Sequence, residues 1–357
     1  MTNLKRFIFL FALTSSSFFY DAHATDFKSN IPYPDFNDGL VLGLLPNKLL
    51  FYSGQQNDKF LAGFYKSSDF LGWVNKKFEP LEKYNSAQVK KIESAIQAPD
   101  KKTIVLSTVE DVGQLLSNST DGTNWQTVRI TTPTKFDTLV VANNNLQVLA
   151  YGKKELLYFT TNNTDNWYQW ALPSGCANKQ YCVFENQYFN MSNNNYTLIQ
   201  STMMNDIVTN KLYKSQDQEY WSTESVPFAN SKIIKTFNGK FDTIFVNAVD
   251  TDGNNKLWLS VDFDGWVDFD LPKGSLVTDV LVHNKNKIDL LLFYPYSGLP
   301  LATDYVTLDT ETKTFNTIET FKGKVSHLKL VDEKLYISGK FDTNAEDKHS
   351  LLASSPL

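Results

Sequence analysis

The sequence predicts an all-β fold: a seven-bladed β-propeller of four-stranded antiparallel blades. Three observations predict it. A short pattern, [ST]-x-[DN]-x-x-x-W, occurs five times, at a spacing of roughly 50 residues. Each interval divides into four strand-like runs separated by Asn, Asp and Gly. Sustained helical periodicity is absent from the chain beyond its leader. Repeats of this length cannot bury an apolar face alone, so they stack or close radially.

The copies are easily traced. "SNSTDGTNW" holds Ser119, Asp121 and Trp125, and "SSDFLGW" holds Ser67, Asp69 and Trp73. "SQDQEYW" holds Ser215, Asp217 and Trp221, and "SVDFDGW" holds Ser260, Asp262 and Trp266. "TNNTDNW" is a softer copy with Thr161, Asn163 and Trp167, and Phe315 in "TLDTETKTF" stands where a sixth anchor belongs. The anchors are separated by 42 to 54 residues, and a proline follows each Trp by six to eight.

The strand runs follow from composition. "FDTLVVAN", "LQVLAYG", "ELLYFTT" and "WYQWALP" make one unit of β-branched and aromatic runs cut by turn residues. "AQVKKIESAIQ" (87–97) alternates well enough for an inner strand, although its helix propensity competes. After Phe315 the chain supplies three strand runs and ends on "HSLLASSPL", a third-strand run without a fourth. The extended "TDFKSNIPYP" before the first unit is the expected missing outer strand. Pairing of the N- and C-terminal segments would close the ring and remove an open edge. Six blades with a loose tail is the alternative.

The motif resembles the Asp-box, or BNR repeat, of sialidases and related propellers, whose pattern is S-x-D-x-G-x-T-W. Ser119, Asp121 and Trp125 match it, with their counterparts in the other units. The Asp-to-Trp interval here is one residue shorter and the Gly position varies. The resemblance implies a propeller architecture across 25–357 and turns that sit away from the active face. Physics agrees with a fastening role. Asp and Ser side chains tie the turn backbone, and Trp fills space between blades. A residue set needed once per blade is a fold element.

The arginine count argues against sialidase activity itself. That family grips a carboxylate with three arginines, and this chain holds Arg6 and Arg129 alone. Lys lacks the planar fork that replaces them. Neither a nucleophile elbow, an HExxH helix nor a phosphate-binding Gly loop occurs. His283, His327 and His349 are isolated in sequence and read as ordinary surface or strand residues. Other glycosidases need only two carboxylates, which counting cannot exclude. "VDTDGNNK" sets Asp250, Asp252 and Asn254 at alternate positions, as calcium loops do, but reads first as a hairpin turn. No metal and no cofactor is assigned.

"MTNLKRFIFLFALTSSSFFYDAHA" reads as a secretory signal peptide over 1–24, cleaved near Ala24, leaving one propeller domain over 25–357. The expected product is a secreted or periplasmic monomer without a membrane span. A net charge of -5 and no basic run leave no footprint for nucleic acid. Cys176 and Cys182 in "GCANKQYC" suit a local disulfide in an exported chain. Two free thiols or half of a metal site are the alternatives.

If the box turns occupy one face, function belongs on the other, among loops between second and third strands. These carry Asp58, Glu110, Asp111, Lys153, Lys154, Asp206, Asp250, Asp252, Tyr294 and Tyr296. The expectation is a non-catalytic module that binds a protein or glycan partner there. The alternative is a glycan hydrolase with carboxylates in the central depression.

Overall fold

Runs such as "LLFYSGQQ" and "TIFVNAV" are dense in β-branched and aromatic residues, and Asn, Asp and Gly break the chain between them. Such a sequence forms short extended pieces joined by tight turns. The computed structural model describes residues 27–34, 38–57, 59–70, 72–79, 88–98, 100–130, 136, 138–142, 147–151, 157–161, 168–171, 183–192, 195–204, 207–217, 220–239, 243–261, 265–284, 286–295, 301–343 and 349–356. Among them every regular element is a strand, and no helix is long and apolar enough to cross a membrane.

β1 (Lys28–Pro32) is followed by a four-stranded sheet of β2 (Asp38–Val41), β3 (Leu49–Gln56), β4 (Lys59–Lys66) and β5 (Val74–Lys77). The second sheet is β6 (Val89–Gln97), β7 (Thr103–Val109), β8 (Gly113–Ser119) and β9 (Gln126–Arg129). The third is β10 (Thr138–Ala142), β11 (Gln147–Tyr151), β12 (Leu157–Thr161) and β13 (Tyr168–Ala171). The fourth is β14 (Val183–Ser192), β15 (Asn195–Met204), β16 (Ile207–Ser215) and β17 (Ser222–Glu224). The fifth is β18 (Lys232–Asn238), β19 (Thr243–Val249), β20 (Asn255–Val261) and β21 (Val267–Asp270). β22 (Leu276–Val282), β23 (Lys287–Tyr294), β24 (Ala302–Asp309), β25 (Thr314–Val331), β26 (Lys334–Asp342) and β27 (His349–Pro356) complete the chain. The four-stranded sheets are antiparallel meanders; first strands of successive sheets neighbour one another at β6 and β10, β10 and β14, β14 and β18, and β18 and β22, while the first sheet meets β6 through β3 and β4. This is the radial arrangement of an all-β propeller. The competing helix propensity of 87–97 yields to packing, since β6 is the first strand of its sheet.

The expectation of seven separate four-stranded blades needs correction. Among the described residues there are five four-stranded sheets and one seven-stranded sheet, ordered β1-β27-β26-β25-β24-β23-β22. The reason is β25, an 18-residue strand. Its first half pairs with β24 and its second half with β26, so no turn separates two repeats. Gly323 sits at the change of partner with φ +102°, where an added Cβ would lie 2.4 Å from the Lys340 carbonyl. Only glycine fits that approach. β1 lies antiparallel to β27, with Lys28 opposite Ser354 and Pro32 opposite Ser350. Ile31 is buried, and the Phe27 ring meets Phe321 edge-on at 5.3 Å.

The core lies between sheets. Leu49, Phe51 and Phe64 of the first sheet meet Ile92 and Val105 of the second, and Trp125 closes the cluster. Trp266 does the same beside Ile199, Leu212, Phe228 and Val246, and Phe315 packs on the cluster around Phe245, Leu257 and Leu290. Burying each such side chain contributes about 1.5–3 kcal/mol.

Candidate functional site

The repeated turns are built alike and serve the backbone. At 119–125, the Ser119 hydroxyl donates to Asp121 Oδ1 at 2.9 Å and accepts the Gly122 N–H at 2.9 Å. Asp121 Oδ1 takes the N–H groups of Thr123 and Asn124 at 2.7 and 2.9 Å. Those backbone donors, Asn124 first, hold the Asp121 carboxyl far below its ordinary range. Ser215 and Asp217 repeat the bond at 3.1 Å, and Ser67 and Asp69 approach at 3.4 Å. Gly122 has φ +72°, and Phe70 occupies the same place with φ +64°. Phe70 accepts that conformation because its ring is buried against Trp73 and Tyr336. The Ser260 hydroxyl donates to the Gly265 carbonyl at 2.5 Å. Asn163, Trp167 and Asp262 lie outside the described residues, as do the side chain of Thr161 and the pair Cys176 and Cys182.

The loops between second and third strands stand at the ends of the sheets remote from these turns. Asp58, Lys153, Lys154, Asp206 and Tyr296 fall outside the described residues. The others are served locally, in three different sheets. Glu110 pairs with Lys90 at 2.9 Å, and Asp111 has φ +58°, which closes a hairpin. Asp250 Oδ1 accepts the N–H groups of Asp252 and Asn254 at 3.0 and 2.8 Å. These carboxylate oxygens tie a turn, and among the described residues no His, Cys, Asp and Glu group could hold a metal. Burial raises the Tyr294 phenol to about 12, with Asp304 adding to the shift. Among the described residues, Glu110 and Asp111, Asp250 and Asp252, and Tyr294 lie in separate sheets and form no single cluster.

It gathers a different set. Four first strands and the second half of β25 carry a one-residue register shift, at Ile92/Ser94, Phe184/Asn186, Ile233/Lys235, Val277/Asp279 and Val325/His327. A bulge of this kind turns the strand and re-aims the following side chain. The residues after the shifts are Ser94, Asn186, Lys235, Asp279 and His327, all polar. Lys235, Asp279 and His327 come from consecutive sheets or repeats and meet near the propeller axis. The Lys235 ammonium donates to the Thr278 carbonyl and lies 4.7 Å from the Phe237 ring centre. Asp279 Oδ1 accepts the Val280 N–H at 3.0 Å, and Oδ2 accepts the Leu328 N–H at 2.8 Å. His327 Nε2 donates to the Val41 carbonyl at 3.0 Å, which leaves Nδ1 3.8 Å from Asp279 Oδ2.

Lys235 keeps accessible surface while protein crowds its ammonium, as a side chain does inside a concavity. Desolvation is the largest influence on it and lowers its basicity; Asp279 opposes this and Lys324 adds to it. His327 is 29% exposed, and desolvation pushes its imidazole down against the pull of Asp279. Thus His327 is not the isolated strand residue its sequence context implies. Neither is His283, whose Nε2 lies 2.6 Å from Asp289. Asp289 also accepts Tyr305 Oη at 2.5 Å and Thr307 Oγ1 at 3.0 Å. This buried acid is supplied with donors from its own sheet and acts as a fastener.

The fold and the central cluster define a β-propeller with a polar centre. No family model matches the sequence, and no curated protein matches it significantly. Solved structures do share the fold. Virginiamycin B lyase from Staphylococcus aureus aligns with a TM-score of 0.57 at 9% identity, covering 92% of this chain and 96% of that one. A streptogramin B lyase aligns with a TM-score of 0.58 at 10% identity, covering 92% and 97%. A prolyl endopeptidase aligns at 0.52 and 12%, covering 89% of this chain and 48% of its own. Identities this low carry the fold and nothing more.

Proposed function

We propose that the chain is an exported, non-catalytic propeller that binds a protein or glycan partner on the face opposite the Ser-Asp turns. One observation carries this reading. The reactive groups at the centre are already engaged: His327 Nε2 on Val41, Asp279 on two backbone N–H groups, and Lys235 on Thr278. Acid–base catalysis needs a group placed to pass a proton; scaffold bonds fix all three side chains, and the atoms they leave over, His327 Nδ1 and the remaining Lys235 protons, suit the holding of a ligand. A glycan hydrolase needs two carboxylates flanking a bond, and Asp279 is the one acid that acts on both Lys235 and His327.

The reading includes seven four-stranded units, two of them fused through β25, with β1 as the last outer strand. The antiparallel pairing of β1 with β27 supports it. It also treats the turns as Asp-boxes, 1–24 as a cleaved signal peptide and Cys176 with Cys182 as a disulfide. A second reading is a lyase. The structurally similar S. aureus enzyme is described as catalytically inactive when a histidine is replaced, and His327 lies near the axis here.

The test incubates the mature chain with a glycan array, with quinupristin and with host-cell extracts for capture. A stable partner without turnover supports the binding module. Turnover of quinupristin that His327→Ala abolishes establishes the lyase, and hydrolysis of any glycan establishes the hydrolase.

A further inference from the structure

We infer that the centre of the propeller is a site for a small organic carboxylate, bound by Lys235 and Lys324 beside Asp279 and His327. The inference deepens the binding reading above and rests on it. Lys235 has three ammonium protons and donates one to Thr278 among the bonds observed. Lys324 is exposed, close enough to act on both Lys235 and His327, and lies 5.5 Å from the centre of the Phe293 ring. His327 donates through Nε2 to a carbonyl, so its neutral form leaves Nδ1 unprotonated, and desolvation favours that form.

The charge count selects the ligand class. Two ammonium groups and one carboxylate leave a single uncompensated positive charge beside a neutral imidazole. A partly desolvated setting makes that excess costly and an incoming monoanion favourable. A carboxylate is a monoanion at neutral pH. A phosphate monoester approaches two negative charges there and would meet Asp279 with an excess of its own. Asp279 is not free to leave, since Leu328 and Val280 hold both its oxygens.

The geometry of the strands points the same way. These side chains follow register shifts on three successive first strands or halves, at Lys235, Asp279 and His327. Bulges cost ladder bonds and are over-represented where a side chain must be re-aimed for function. Gly43 lies against the imidazole, where an added Cβ would sit 3.4 Å from His327 Cγ.

The test uses matched probes on the mature protein: benzoate, benzamide and phenyl phosphate, followed by ligand-observed NMR and calorimetry. Benzoate is expected to bind, with benzamide at least about tenfold weaker, a difference of about 1.4 kcal/mol. Lys235→Met and Lys324→Met should each weaken benzoate; the exposed Lys324 guards against loss of folding in the first variant. Asp279→Asn should reverse the order of benzoate and phenyl phosphate. Absence of benzoate binding, binding unmoved by both lysine changes, or equal binding of benzamide each overturns the inference. A macromolecular partner still held by the Lys235→Met protein would overturn the carboxylate site and leave the binding module standing.

Discussion

Asp279 Oδ2 accepts the backbone N–H of Leu328 at 2.8 Å, so an acid on the first strand of one repeat fastens the first strand of the next. Ser94 does the same to the Leu139 N–H at 3.1 Å. Asp279→Asn keeps the shape and removes the charge from this bond. The expected loss is about 1–3 kcal/mol, the range for charge-assisted bonds and orphaned donors. Urea unfolding measures it, and an unchanged midpoint at unchanged slope would refute the fastening role.

Trp125 meets Phe78 at 5.0 Å and Phe51 and Phe64 at 6.2 Å, each edge-on. Trp125→Ala opens a void between two sheets. Because the indole is only partly buried, the expected cost is about 3 kcal/mol, the low end for aromatic truncation. Thermal unfolding reads it; a loss below about 1 kcal/mol would mean the ring is surface decoration.

Gly323→Ala is the sharpest backbone test. The position combines φ +102° with an approach of 2.4 Å to the Lys340 carbonyl. Strained non-glycine conformations cost about 1–3 kcal/mol before the clash is counted. The expected product folds less stably, and increased hydrogen exchange should concentrate in β25 and β26.

Acid sensitivity follows from the turn carboxylates. Backbone N–H donors lower Asp121 (chiefly Asn124 and Thr123), Asp250 (chiefly Asn254) and Asp309 (chiefly Thr312) from 3.8. Folded values below the unfolded one mean that the unfolded chain takes up protons first. Their stabilisation is therefore fully present above 3.8 and declines as pH falls through it. All three are exposed, so screening keeps each effect small. Melting temperature followed from pH 6 downward should fall less steeply in the triple Asp→Asn protein. An identical slope would exclude these groups.

Removal of residues 1–32 deletes β1 and leaves β27 without its outer neighbour. It also strips Phe27 from Tyr305 and Phe321. The expected outcome is a lower melting temperature and new dye-binding apolar surface, together with self-association through the bared strand. A truncated monomer as stable as the mature chain would sink the proposal that β1 completes the last unit.

Much of the architecture was legible because it repeats. Ser119, Asp121 and Trp125 recur with companions at regular intervals, and a repeat can be seen without knowing any contact. The turns were placed correctly between strands for the same reason. The central cluster was hidden. Lys235 and Asp279 are 44 residues apart and Asp279 and His327 a further 48, each alone in an ordinary strand. Their conjunction depends on register shifts, which break the two-residue alternation that sequence reading relies on. The sequence around them offers no shared signal: Lys235 follows two isoleucines, whereas Asp279 follows Val-Thr and His327 follows Val-Ser. The fusion through β25 leaves no mark in the sequence either: Gly323 stands between two lysines, and the backbone runs straight on through it.

β25 also has a mechanical meaning. Where other repeats meet, a connecting segment and side-chain packing join separate sheets, and the joint can slip or part locally. Across Gly323 a single strand runs unbroken from one repeat into the next and is hydrogen-bonded on both flanks. Under heat or tension, separation should begin at one of the six looser joints, and the two fused repeats should come apart last and together.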